Sequence, residues 1–296
     1  TRALKRARLQ GASSARIEEA FEREYQTLAS LDHPRIIRVF DYGVDEQGPF
    51  YTMELLGGSD LRRSERLPYR QACACLRDVA TSLALLHARR LLHRDVSPGN
   101  VRMTADGRCK LIDFGALASF GVSEVVAGTP PAVAPEALSG GSALDQRVDL
   151  FALGALAYWV LTGTHAYPAY ELAELPTLWR APPQPPSAYV ADVPPALDAL
   201  VLSLLHLDPL ARPESAAEVI GKLESIAELP PETAADTQLL LQSFLLRPRF
   251  VGRTEELAQL NALRESAQHG SGAALCVRAG AGMGSSRLLD ELGMCA

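Results

Sequence analysis

Apolar residues recur along the first third of the chain with two different periods, and each period predicts an element. From Ser14 to Leu31 they follow helical spacing, with Ile17, Ala20, Phe21, Leu28 and Leu31 on one stripe, which predicts a core-facing amphipathic helix. Glu24 falls on that stripe. A carboxylate facing a core needs a cationic partner, because burying it unpaired is costly. Lys5, nineteen residues upstream, is the candidate; a surface lysine in a frayed basic terminus is the bland alternative. The helix ends at Leu31-Asp32-His33-Pro34, since proline disfavours helical geometry in the residue before it. Ile36 to Asp41 and Pro49 to Met53 then read as strands joined by Asp45-Glu46-Gln47-Gly48, completing a small sheet.

The helical period dominates the next stretch. Pro68 to Arg90 carries Cys75, Leu76, Val79, Leu83 and Leu86 at core spacing and predicts a long helix. A hairpin follows, from Val101 to Met103, through a turn at Ala105-Asp106-Gly107, to Leu111-Ile112. The apolar run from Leu150 to Leu161 predicts a buried helix and is too short to cross a bilayer. Asp149 ahead of it is expected to cap either that helix or the backbone near His93. Consecutive prolines in Glu228-Leu229-Pro230-Pro231-Glu232 interrupt helix and sheet and begin a linker. Beyond it the pattern predicts a helix to about Gln268, a strand from Ala273 to Val277, and a glycine-rich run opening another helix.

Composition narrows the function classes. A chain of 296 residues with 47% hydrophobic content can hold one large domain and part of another. Its net charge of -6 argues against nucleic-acid or anionic-membrane binding by this segment. The five cysteines are an odd number with no Cys-x-x-Cys spacing, which indicates neither a disulfide framework nor a zinc site and fits a reducing cytoplasm.

Chemistry concentrates between Leu92 and Gly115. The hairpin brings Asp113 back beside Asn100, and two oxygen ligands so placed can hold Mg²⁺ with phosphate oxygens. Asp95 remains free to orient a hydroxyl nucleophile. Together, His93-Arg94-Asp95, Asn100 five residues after the acid, and Asp113-Phe114-Gly115 resemble the catalytic and metal-binding loops of bacterial-type serine/threonine protein kinases. The resemblance implies an α+β, bilobal protein-kinase fold over residues 1-227, with a helical C-lobe and a small β-rich N-lobe truncated at its start, no glycine-rich loop preceding Thr1.

The same resemblance implies ATP and Mg²⁺ as cofactors, a protein as substrate, and the site residues. Asp95 is catalytic, Lys5 and Glu24 form the phosphate-orienting ion pair, and Asn100 and Asp113 are the metal ligands. Ala3 and Lys5 match the strand that ends Val-Ala-Ile-Lys; Met53 is the gatekeeper, and Glu54 to Leu56 form the adenine-binding hinge. Asp60 reaches the ribose or caps a helix, and Arg102 departs from the family by standing where an apolar residue floors the adenine pocket, its stem expected to stack on adenine. Thr129 in Gly128-Thr129-Pro130 is implied to hydrogen-bond near Asp95, and Arg212 to pair with Glu136 of Ala134-Pro135-Glu136. A second departure bears on chemistry: Ser97 stands where such kinases carry a lysine near the transferred phosphate.

A second resemblance begins after a linker over residues 228-247. Arg249-Phe250-Val251-Gly252-Arg253 and Glu256-Leu257 resemble the start of AAA-type regulatory ATPases, so residues 248-296 are expected to open an α/β P-loop-like domain. Its glycine loop is degenerate, with Ala279 for the first glycine and Ser285 for the lysine. Three functions compete: an active serine/threonine kinase in signal transduction, a weakly active kinase-like nucleotide-sensing or scaffolding module regulating the attached domain, and an ATPase with an accessory kinase lobe.

Overall fold

The computed structural model describes residues 1–7, 14–63, 65–123, 125–232, 236–240, 259–260 and 262–263. The chain divides into two units, Thr1–Leu246 and Arg247–Ala296. In the second unit the described residues are helical and Leu260 is buried. The Arg249 to Leu257 motif and the glycine-rich run from Ala279 lie outside the described residues.

The first unit opens with a small lobe. Strands β1 (Arg2–Arg6), β2 (Val39–Asp45) and β3 (Gly48–Glu54) form an antiparallel sheet in the order β1-β3-β2, and helix α1 (Ser14–Ala29) packs on it. In β3 alternation turns Pro49 and Tyr51 inward, and the Tyr51 ring stacks on Phe21 of α1 with centroids 5.0 Å apart. Phe21, Glu24, Leu28 and Leu31 are buried, whereas Ala20, expected on the same stripe, is exposed. Ile36 and Ile37 are not in β2 as expected. They are buried and bridge to the helical lobe, the Ile37 amide donating to the Leu111 carbonyl at 2.9 Å and the Leu111 amide to the Arg35 carbonyl at 3.0 Å.

The helical lobe holds α2 (Tyr69–Ala88), α3 (Pro135–Leu138), α4 (Arg147–Thr162), α5 (Leu175–Leu178), α6 (Pro195–Leu204) and α7 (Ala216–Ala227). The α2 stripe of Cys75, Leu76, Val79, Leu83 and Leu86 is buried against α4 and α7. Helix α4 is apolar on every side and sits in the middle of the lobe, as a helix without a polar face must. It begins at Arg147, so Asp149 lies inside its first turn and is not its cap.

Short strands carry the chain past the lobe junction: β4 (Ser59–Asp60), β5 (Leu91–Leu92), β6 (Val101–Met103), β7 (Cys109–Leu111) and β8 (Ala118–Ser119). The β6–β7 hairpin is in the expected register, Val101 opposite Leu111 and Met103 opposite Cys109, and turns at Gly107 with φ 78°. Among the described residues no helix is long and apolar enough to cross a membrane.

Candidate active site

β1 carries Lys5 opposite Tyr51, and α1 offers Glu24 to both. Lys5 Nζ donates to Glu24 Oε1 at 2.6 Å and to Asp113 Oδ1 at 2.9 Å. The Tyr51 hydroxyl donates to the same Glu24 oxygen at 2.9 Å. Glu24 is 6% exposed, so both donors compensate a carboxylate that water does not reach. Burial alone lowers the Lys5 pKa, but Glu24 and Asp113 outweigh it and hold the ammonium above its ordinary value. Burial likewise pushes the Asp113 carboxyl up, and Lys5 together with the Gly115 amide and His93 brings it below its ordinary value. Both groups are therefore charged. Tyr51 had no signature in the sequence beyond its inward position on a strand.

The next side chains come from the loop between β5 and β6. Asp149, with no exposed surface, accepts from the His93 amide at 2.9 Å, the Arg94 amide at 2.8 Å and His87 Nε2 at 2.9 Å. Burial pushes its carboxyl up; these contacts keep it below the usual range and thus ionised. They also hold Arg94 at φ 65°, a left-handed conformation that a non-glycine residue keeps only when its surroundings impose it. The His93 ring, neutral because burial depresses its pKa, packs edge-on against Phe114 at 4.8 Å and accepts from the Asp95 amide at 3.3 Å.

This scaffold fixes both oxygens of Asp95. Oδ1 accepts from the Thr129 amide at 2.8 Å and its hydroxyl at 2.7 Å, and Oδ2 from Asn100 Nδ2 at 2.7 Å. Thr129 comes this close only because Gly128 precedes it: at φ 113°, a Cβ on Gly128 would stand 2.4 Å from the Arg94 carbonyl oxygen. Asn100 Nδ2 also donates to the Asp95 carbonyl at 3.0 Å, which leaves Asn100 Oδ1 as its remaining polar atom. Asp113 Oδ1 is taken by Lys5 and by the Gly115 amide at 3.1 Å, which leaves Oδ2.

An amide oxygen and a carboxylate oxygen are the donor types a hard divalent cation takes. No group of three His, Cys, Asp or Glu suited to a metal exists among the described residues. A cation here has few protein ligands and must complete its shell with phosphate and water oxygens, as Mg²⁺ does beside a nucleotide.

The remaining expected residues lie along the same strands and the stretch that follows β3. Ala3 pairs with Met53 across β1 and β3, and Leu56 follows two residues after Glu54. Glu54 commits its carboxylate to Lys110 Nζ at 2.6 Å and its amide to the Arg38 carbonyl at 2.9 Å. The Glu54 side chain borders a cavity of about 240 Å³, shared with Leu31, His33, Ile36 and Leu239. Asp60 Oδ1 accepts from the Arg62 amide at 3.1 Å and so caps the turn Leu61–Arg63. Arg102, opposite Asp60 in the β4–β6 pair, donates from Nη2 to the Gly58 carbonyl at 2.7 Å.

A model of the protein kinase domain matches residues 1–222. The chain belongs to the protein kinase domain family. It is similar to a probable serine/threonine-protein kinase of Corynebacterium efficiens, at 33% identity over 79% of this chain and 38% of the relative. It is also 36% identical to the serine/threonine-protein kinase PknL of Mycobacterium tuberculosis over 70% of this chain and 54% of the relative. PknB of Mycolicibacterium smegmatis is 34% identical over 70% of this chain and 36% of its own length. The chain thus spans about half or less of the curated relatives it matches.

In this kinase domain the segment between Asp113 and α4 is anchored at its far end. Arg212 makes a two-pronged pair with Glu136, Nη1 to Oε1 at 2.6 Å and Nη2 to Oε2 at 2.9 Å. Arg94 Nη1 donates to Ser123 Oγ at 2.7 Å in the middle of the segment.

Proposed function

We propose that this kinase domain transfers the γ-phosphate of Mg-ATP to serine and threonine hydroxyls of proteins, as a step in signal transduction. The observation that carries this reading is the Asp95 carboxylate, held on one oxygen by Thr129 and on the other by Asn100. A carboxylate so constrained orients an incoming hydroxyl and takes its proton as the oxygen attacks. Mg-ATP, when bound, supplies the phosphoryl group and most of the charge to be neutralised. Lys5, steadied by Glu24, binds the α- and β-phosphates; Asn100 and Asp113 hold the cation, which we take to be Mg²⁺. Ala3, Met53, Glu54, Leu56 and Arg102 line the adenine side, and Asp60 reaches the ribose while capping its turn.

A second reading is favoured by Ser97, which is buried and brings no charge to the loop. In it the domain binds nucleotide and relays its state, with little transfer. We also read residues 248–296 as the start of an AAA-type regulatory ATPase domain with a degenerate P-loop, on the motif Phe250-Val251-Gly252-Arg253 and the run Ala279 to Ser286, in a cytoplasmic protein.

The test uses the full-length protein with γ-labelled ATP and Mg²⁺. Label on serine or threonine, abolished by Lys5→Met and by chelating the metal, is the expected result. Free orthophosphate with no labelled protein would move the assignment to an ATPase.

A further inference from the structure

Arg35, Arg77 and Arg108 converge behind the hairpin that carries Asn100 and Asp113. Arg35 and Arg77 are buried. Within the residues matched to the kinase family, the acid that meets Arg35 and Arg108 is Asp78. It accepts from Arg35 Nε at 3.0 Å, from Arg108 Nη2 at 2.8 Å and from the Cys109 amide at 2.9 Å. Arg77 meets Glu224 of α7 at 3.5 Å and Arg108 is partly exposed, which leaves Asp78 to answer both the buried Arg35 and Arg108, and an uncompensated buried charge is strongly destabilising.

Two further carboxylates arrive from beyond α7, outside the matched residues. There the chain runs back along α2, Arg70 Nη1 donating to the Ala227 carbonyl at 2.6 Å and Arg77 Nη1 to the Pro230 carbonyl at 2.9 Å. Glu232 then meets all three arginines: Arg108 Nη2 at 2.8 Å, Arg77 Nη2 at 3.1 Å and Arg35 Nη2 at 3.2 Å. Asp236 adds a second carboxylate, 3.4 Å from Arg35 and 3.5 Å from Arg108.

The cluster touches the backbone on which the active site hangs. Arg35 follows the turn that closes α1, the helix that carries Glu24. The Arg35 carbonyl accepts from the Leu111 amide at 3.0 Å, and Asp113 stands two residues further on. Arg108 leads directly into β7 on the same side. Glu232 therefore ties together the stretches bearing Glu24 and Asp113, and Lys5 needs both acids within reach at once.

We propose that Glu232 is a positioning residue of the kinase site, acting through Arg35 and Arg108 to keep the Asp113 strand in register with α1. The activity arm of its test rests on the kinase reading; the exchange and binding arms do not require transfer.

The experiment compares the full-length protein with Glu232→Gln, with the conservative Glu232→Asp, and with Glu228→Gln, whose carboxylate meets Arg70 at the surface. Amide hydrogen exchange is followed at Ile37 and Leu111 and, as reference, in α4. Affinity is read with a fluorescent ADP analogue and Mg²⁺, and phosphate transfer is measured alongside. For Glu232→Gln the expected result is exchange about tenfold faster at Ile37 and Leu111 with α4 unchanged, and nucleotide–Mg²⁺ affinity about tenfold weaker. Glu232→Asp should recover part of both losses, and Glu228→Gln should match the unaltered protein. Unchanged exchange at Leu111, a rise shared equally by α4, or local loosening with full affinity would each overturn the proposal. If Glu232→Gln does not fold, the same readings on Glu232→Asp decide it, with a smaller shift in the same direction expected and none contradicting it. The expected exchange and affinity changes in a protein that transfers no phosphate would leave the positioning role standing and remove the kinase reading instead.

Discussion

Two ionic clusters in this molecule are built from the same chemistry and left in opposite states. Beside Lys5 one acid keeps capacity: the Asp113 side chain is 45% exposed, its Oδ2 and the neighbouring Asn100 Oδ1 still open. Around Arg35 the capacity is used up, since Asp78 is 3% exposed and both its oxygens accept from donors. The difference shows what distinguishes a site from a girder. A carboxylate that does chemistry must remain under-coordinated toward the side where substrate arrives, while a buried structural carboxylate such as Asp78 has both oxygens occupied, because low dielectric penalises an unmet acceptor.

The two clusters should differ most in what they contribute to stability. Arg35→Met leaves Asp78 and Glu232 short of a cation in a buried setting and should cost about 3–5 kcal/mol, measured by denaturant unfolding. Lys5→Met should cost less, about 1–2 kcal/mol, because Tyr51 still donates to Glu24, yet it should abolish phosphate transfer. Equal destabilisation by both would erase the distinction.

A smaller effect separates the clusters by pH. Burial, then Arg35, Lys110 and Arg89, depress the His33 pKa to about 3, so the folded state refuses a proton that the unfolded chain accepts near 6.5. A depressed folded pKa gives stability that is present above 6.5 and lost as pH falls. Between pH 6.5 and 5 the loss from this group should be about 1.5 kcal/mol. His33→Asn, which keeps an acceptor for the Arg35 amide, should flatten that part of the curve; an unchanged slope would refute the assignment.

The smallest expected effect concerns the open cluster. If transfer runs with one cation fewer than usual, Ser97→Lys should raise the single-turnover rate on the order of tenfold at saturating Mg-ATP with nucleotide affinity unchanged. No gain, with transfer at background, would favour the nucleotide-sensing reading.

How much of this was legible follows the same divide. Asp95, Asn100 and Asp113 fall within a short stretch whose turn is written in Ala105-Asp106-Gly107, so local chemistry announced the site. Glu24 on an apolar stripe announced the need for a cation, and few lysines were available to answer it. Asp149 was legible as an acid heading a run with no other polar group, though not as a residue inside the helix. The Arg35 cluster was silent, because Asp78 lies 43 residues from Arg35 and Glu232 lies 197 away, and scattered charges of that kind read as solvated faces. Ile36 and Ile37 misled for a related reason: their apolar pairing with Leu111 crosses the two lobes, and a strand period cannot reveal a partner so distant.

The most direct test of the account is phosphate transfer by the full-length protein with Asp95→Asn, which keeps the shape of the side chain and removes its basicity. The expected outcome is normal Mg²⁺–nucleotide binding, with labelled phosphate on serine and threonine reduced by at least about a hundredfold. Label incorporated at the unaltered rate would mean that Asp95 does not orient the attacking hydroxyl and would contradict the account.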